Sequence, residues 1–248
     1  MRIYDINAGI GAPLKSERYT EADGLLRYMD DYKIEKALVW HGVADRSPEE
    51  GNGMMLEIAA ASDRIAPCML LEPSLDSLGL PGTGGAADRL RACGASAARV
   101  CQGGSVHFPM DAFYAQDMLK PLNDAHMPLI LHEGYSPLFW HCLPEMAAAY
   151  PDIPFVILRW GLNESRVIDP LLKYTKNVYF DMSTMLDCGQ IEEIVERFGS
   201  ERLLFGSGLP HFVPAGALGL LLYSEISDAD RENIAHANFE RLEGGIRR

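Results

Sequence analysis

The side chains best suited to chemistry in this chain stand where short apolar runs stop. Asp5 and Asn7 lie at the close of the first such run, Arg99 late in the fourth, His132 with Glu133 at the end of the fifth, Arg159 with Trp160 after the sixth, and Ser207 with His211 after the last. A neutral imidazole at His132, beside the Glu133 carboxylate, could act as a general base or hydrogen-bond a bound molecule. Buried and satisfied by a neighbour, it would do neither. Arg99 and Arg159, both pointing inward, would make a cationic site that grips a carboxylate or phosphate with two parallel hydrogen bonds. At the rim either could instead pair with Glu72 or Asp181. Asp5 could orient Asn7 or Arg159, or serve as a structural acceptor for loop amides. Trp160, Trp140, Phe139 and Tyr135 could wall a pocket for a flat or sugar-like ligand, or fill core.

Several other chemistries find little support. Cys68, Cys93, Cys101, Cys142 and Cys188 are odd in number and never form a C-x-x-C pair, so they read as reduced thiols rather than a disulfide framework or zinc site. Ser207 sits in Gly206-Ser207-Gly208, which is not the G-x-S-x-G of a nucleophile elbow. Gly9-Ile10-Gly11 is followed by Pro13-Leu14-Lys15, which spoils a dinucleotide-binding G-x-G-x-x-G. A formal net charge of −13 repels phosphate backbones and anionic lipid, so no nucleic-acid or membrane partner is expected. The longest nearly apolar run, Val213 to Tyr223, has eleven residues and is too short to cross a bilayer. The first residues, Met1-Arg2-Ile3-Tyr4-Asp5, carry no signal-peptide apolar stretch, and a cytoplasmic location is expected.

The elements that must position these groups alternate along the chain. Eight short apolar runs are strand candidates: Ile3 to Ile6, Ala37 to Trp40, Ile65 to Leu71, Ala97 to Cys101, Leu129 to His132, Phe155 to Leu158, Val178 to Phe180 and Leu203 to Phe205. Amphipathic helix candidates lie between them. Thr20 to Tyr32 has Thr20 as N-cap, Gln190 to Phe198 stops at Gly199, and Asp228 to Leu242 closes the chain after Ser227. Eight strands with helices between them predict an α/β fold, a single (β/α)8 TIM barrel over residues 1–248. In such a barrel the C-terminal strand ends converge on one mouth, which is where function is expected.

Four segments and the closing helix resemble the amidohydrolase superfamily, and within it the branch containing aminocarboxymuconate semialdehyde decarboxylase. Asp5-Ile6-Asn7-Ala8-Gly9-Ile10-Gly11 is similar to its opening D-x-H-x-H-x-G, and Leu129-Ile130-Leu131-His132 to its fifth-strand ending. Val156-Ile157-Leu158-Arg159-Trp160-Gly161 resembles its sixth, and Leu204-Phe205-Gly206-Ser207-Gly208-Leu209-Pro210-His211 its eighth. Asp230 to Asn238 resembles its C-terminal signature.

The resemblance implies a divalent ion held by two first-strand histidines, a fifth-strand histidine and an eighth-strand aspartate, acting as a Lewis acid. Here those positions read Asn7, Gly9, His132 and Gly208, and the sixth-strand histidine is Trp160. A tetrahedral zinc needs three protein ligands, so the usual metal is expected to be absent. A site rebuilt from His41, His132 and His211 would have to span strands that are not adjacent.

The expected activity is hydrolysis of a small carboxylated or lactone-type substrate without that metal. His132, Arg159 and Asp5 are the expected catalytic groups, and Arg99, Asn7, Glu133, Trp160, His211 and Trp140 the expected substrate contacts. The alternative is a non-catalytic barrel that binds a small molecule or regulates. The expected partner is a small acidic molecule. Self-association through Pro137-Leu138-Phe139-Trp140 is also conceivable, although that loop could equally be a lid.

Overall fold

The computed structural model describes residues 1–11, 21–72, 80, 83–100, 110–132, 139–158, 160 and 165–247, without the side chains of His132, Phe139 and Ser165. Within them a (β/α)8 barrel is built from β1 (Tyr4–Ile10), β2 (Lys36–His41), β3 (Ile65–Leu71), β4 (Ala97–Val100), β5 (Leu129–His132), β6 (Phe155–Leu158), β7 (Val178–Asp181) and β8 (Leu203–Leu204). The strands pair in parallel, each with the next in sequence. Outside them pack α1 (Ala22–Asp31), α2 (Pro48–Ala60), α3 (Ala86–Ala92), α4 (Gln116–Ala125), α5 (Phe139–Ala149), α6 (Ser165–Tyr174), α7 (Gln190–Phe198) and α8 (Pro214–Tyr223). No described helix is long and apolar enough to cross a membrane.

Strand alternation sorts the core into two shells. Leu38, Trp40, Ala66, Cys68, Ala97 and Ile130 fill the barrel interior, while Ala37, Val39, Met69, Ala98, Leu129 and Phe155 face the helices. β1 breaks this rule. Its register against β2 shifts between Asp5 and Ala8, a bulge that lets both Ile6 and Asn7 face inward while Ala8 and Ile10 join the outer shell. The strand also runs on to Ile10 instead of stopping at Ile6, because Gly9 and Ile10 pair with Trp40 and His41 and the Gly9 amide donates to the Leu209 carbonyl at 2.8 Å.

Two helix expectations are corrected. α1 starts at Ala22 with Glu21 as its N-cap, and Thr20 lies outside the described residues. The closing helix is not uniform: α9 (Asp228–Glu232), capped by Ser227 as expected, gives way to a π turn, Asn233–Ala237, before α10 (Asn238–Gly244). The wide turn frees the Ile234 carbonyl to accept from the Phe205 amide at 2.9 Å, tying the helix to the end of β8. α7 and its stop at Gly199, where φ is +81°, match the sequence pattern.

α10 plugs the end of the barrel where β1, β2 and β4 begin. Phe239 packs edge-on against Tyr4, with centroids 4.9 Å apart, and the Glu243 carboxylate accepts from Lys36 Nζ at 2.8 and 2.9 Å and from Tyr4 at 3.3 Å. These contacts close that end of the interior. Phe239→Ala should therefore cost about 3–5 kcal/mol of stability, as expected when a fully buried aromatic is deleted. The urea midpoint measures this, and a loss under about 1 kcal/mol would show that the plug contributes little.

Candidate functional site

Arg99 is two residues beyond the inward-facing Ala97 and so points the same way, into the interior near its open end. Its guanidinium carbon lies 4.4 Å from the centroid of the Trp40 ring, and its Nη2 donates to the Asp45 carboxylate. Asp45 ends a short 3-10 turn, Gly42–Asp45, that follows β2. Arg99 is only 3% exposed, yet its Nε and Nη1 have no hydrogen-bond partner among the described residues, and neither does the buried Trp40 Nε1. Guanidinium does not release its proton inside a protein, so these buried donors stay available to an acceptor that enters the mouth. His211 stacks on Trp40 with centroids 6.3 Å apart and planes at 20°.

Gly9 makes room for this arrangement. A Cβ there would fall 2.2 Å from Trp40 Cζ2, so the indole lies directly against the β1 backbone.

A second polar group stands on the neighbouring strands. Fully buried Asn7 donates through Nδ2 to Asp181 Oδ2 at 2.9 Å and to Ser183 Oγ at 3.2 Å. This leaves Oδ1 as a buried acceptor without a partner among the described residues. Asp181 ends β7 and also accepts from the Ser183 amide at 3.3 Å. Gly206 gives it space, because a Cβ there would lie 2.6 Å from Asp181 Oδ2.

Asp5 faces the other way. Its Oδ1 accepts from the Asn7 and Ser207 amides at 3.0 and 2.9 Å, and its Oδ2 accepts from the Tyr28 hydroxyl of α1 at 2.9 Å. Of its two readings, this geometry is that of the structural acceptor. Leu25, Tyr28 and Met29 share the buried stripe of α1, which is how Tyr28 reaches the sheet.

The remaining sequence candidates are not all brought together. Trp160 is buried in the sheet–helix layer, edge-on to Phe180 at 5.8 Å, with Nε1 donating to the Asp181 carbonyl at 2.6 Å. Trp140, in the first turn of α5, packs half-buried against the same outer layer. The His132 backbone ends β5 opposite Leu158, while its side chain, Arg159 and Glu133 lie outside the described residues. His41 accepts from the Val43 amide through Nδ1 at 3.3 Å, and burial pushes its pKa down. It follows Trp40 on the strand and takes the opposite, helix-facing side, so it does not join His211 at the mouth. Trp40, Asp45 and Ser183 were not picked out from the sequence. For Trp40 the signal was present, since it shares the inward parity of Leu38.

The metal that the resemblance implies finds a poor donor set. Gly9 has no side chain and its space holds the Trp40 indole. At Gly208, where φ is +70°, a Cβ would lie 2.6 Å from Phe212 Cδ2. Among the described residues no three His, Cys, Asp or Glu side chains are grouped to hold an ion. These residues do not fit the family's ion.

The amidohydrolase family's sequence model matches residues 52–242, and the chain belongs to that family. The match begins after β1 and β2, the strands that carry Asn7, Gly9 and Trp40. No curated protein matches the chain. Among solved structures it is similar to an uncharacterised TIM-barrel protein from Bordetella bronchiseptica, at 16% identity and TM-score 0.77 over 99% of both chains. It is also similar to a dihydroxybenzoic acid decarboxylase from Polaromonas with bound manganese and 2-nitroresorcinol, at 15% identity and TM-score 0.72 over 98% of this chain and 96% of that one. A 4-oxalomesaconate hydratase from Rhodopseudomonas palustris follows, at 14% identity and TM-score 0.68 over 98% and 96%. At these identities the likeness is one of fold.

The Asp5 geometry is testable. Asp5→Ala leaves two buried amides without an acceptor and should cost about 1–3 kcal/mol for each. Asp5→Asn keeps an acceptor oxygen and should cost much less. Burial holds the Asp5 carboxyl above the ordinary carboxylate range, against the lowering effect of its hydrogen bonds. The folded chain therefore binds this proton more tightly than the unfolded chain. Its contribution to stability is complete below the unfolded carboxylate pKa and is lost as pH rises through the folded value. Asp5→Asn should flatten that decline in urea midpoints measured across pH, and an unchanged profile would assign the pH dependence elsewhere.

Proposed function

We propose that this chain is an amidohydrolase-family enzyme that binds a small acidic molecule at the barrel mouth and hydrolyses it without the family's metal. One observation carries the reading: a nearly fully buried arginine, stacked on Trp40, keeps two of its three nitrogens unpaired. A buried cation with idle donors is costly unless an anion or ordered water completes it, and carboxylate geometry matches the guanidinium fork. The Trp40 N–H adds a further donor and the Asn7 carbonyl an acceptor for a hydroxyl or amide of the same molecule.

His132, at the end of β5, supplies the proton chemistry in this reading. It takes a proton from a water whose oxygen adds to the acyl carbon, then gives it to the leaving oxygen or nitrogen as that bond breaks. Such general acid–base catalysis contributes roughly a hundred- to ten-thousandfold in rate. On sequence grounds Arg159 is assigned a catalytic role beside His132, and Glu133 a substrate contact. A non-catalytic small-molecule-binding barrel is the second reading, and the Trp40 indole beside Gly9, where a metal-ligating side chain would stand, favours it.

Two measurements test the proposal. Elemental mass spectrometry on protein purified without chelator should find less than one transition metal per chain, and stoichiometric zinc, manganese or iron would overturn the metal-free reading. His132→Asn should abolish turnover of esters, lactones or amides of small acids while circular dichroism stays unchanged. Full activity in that variant removes His132 from the mechanism, and binding without turnover by the parent chain selects the second reading.

A further inference from the structure

Arg99 and the carboxylate that touches it are unequally sheltered. The Arg99 side chain is 4% exposed and that of Asp45 is 35% exposed, so Asp45 lies on the solvent side of the ion pair. An anion bound to the guanidinium would share it with this carboxylate. Asp45 bonds Nη2 through a single oxygen and leaves Nε and Nη1 idle, so it blocks part of the guanidinium without consuming it.

The turn that carries Asp45 is held firmly. The Arg46 and Ser47 amides both donate to the Val43 carbonyl, at 3.0 and 2.9 Å, and the His41 ring caps the start of the turn. α2 packs so closely that a Cβ on Gly51 would lie 2.1 Å from the Ala44 nitrogen. The carboxylate is a placed group. Cys68, an interior-layer thiol that feels the Arg99 charge, is pushed up to about 12 by burial despite that cation and so carries no charge to share. Among the described residues, Asp45 is the carboxylate paired with Arg99.

We propose that Asp45 is a specificity-determining residue, an internal carboxylate that half-neutralises Arg99 and tunes the mouth to ligands bearing one negative charge rather than two. This rests on the reading of the mouth as an acid-binding site. A monoanion can share the guanidinium with Asp45, using Nε or Nη1. A dianion brings a second charge beside a carboxylate that already compensates the cation, and like charges at close range disfavour it.

The test compares benzoate with phthalate, the same ring with one or two carboxylates, by isothermal titration of the parent chain, Asp45→Asn, Asp45→Ala and Arg99→Gln. The parent should prefer benzoate. Both Asp45 variants should bind phthalate about tenfold or more tighter than the parent, with a smaller gain for benzoate, and the gain should shrink at high salt. Phthalate binding that appears only in the Asp45 variants supports the proposal equally. If the parent binds benzoate and the Asp45 variants, folded by circular dichroism, keep its benzoate-to-phthalate preference, the role of Asp45 is overturned while the acid-binding reading stands. If neither the parent nor any Asp45 variant binds either acid, or if Arg99→Gln binds both as the parent does, the acid-binding reading fails and this proposal with it.

Discussion

The structure turns on the seam where β8 meets β1, and on the carboxylate buried in it. Asp5 accepts one amide from its own strand, at Asn7, and one from the chain leaving β8, at Ser207. Backbone bonds from Ile6 to Phe205 and from Gly9 to Leu209 continue the closure. A barrel has no free edge only if this last pair is joined, and here a side chain does part of what a ladder does elsewhere. By holding the Asn7 amide, Asp5 also fixes the bulge that turns Asn7 and Gly9 toward the interior. The polar mouth thus inherits its geometry from a group that faces away from it.

Once Asn7 and Gly9 face inward, the remaining mouth follows from size. Gly9 admits the Trp40 ring, and the ring in turn offers a face on which the Arg99 guanidinium rests. Desolvating a cation this fully is unfavourable, and cation–π contact with one ion pair offsets only part of it. Each idle buried donor adds about 1–3 kcal/mol, a sizeable share of a net stability of about 5–15 kcal/mol. On the reading proposed above, stability is given up at the strand ends, where binding can restore it, while at the opposite end Glu243 pairs with Lys36 and Tyr4.

Much of the barrel was legible because its strands are short apolar runs bounded by turn residues. β3, β5 and β6 fall on the residues the pattern marks, and α7 ends where Gly199 permits a left-handed residue. The errors lie where tertiary contacts override local pattern. Gly9 and Ile10 lie beyond the first apolar run, Ile3 to Ile6, yet are held as strand by Trp40, His41 and Leu209. The π turn in the closing helix exists because the Phe205 amide needs the Ile234 carbonyl, a demand from elsewhere in the chain. Within the site, Arg99 and Asp181 follow from alternation, each two residues past an inward neighbour. Asp45 does not, since it comes from a turn whose direction no periodicity encodes. For Trp160, whose place after β6 allows either a pocket wall or core packing, the indole takes the outer side, where Phe180 and the Asp181 carbonyl receive it.

The Gly9–Trp40 contact also constrains how this mouth relates to a metal-binding one. At 2.2 Å, a Cβ at position 9 and the indole at position 40 exclude each other, so the two positions are energetically coupled and neither can change alone without cost. On the proposed reading, the positive charge at the mouth is of a different kind. A guanidinium can hold an anion through directed hydrogen bonds, but it has no vacant coordination position and cannot lower the pKa of a bound water as a divalent ion does. On the reading proposed above, the two tasks a metal would combine are therefore separated. Arg99 and Trp40 hold charge, and any activation of water falls to a side chain that can exchange a proton near neutral pH, which among residues at these strand ends is a property of histidine.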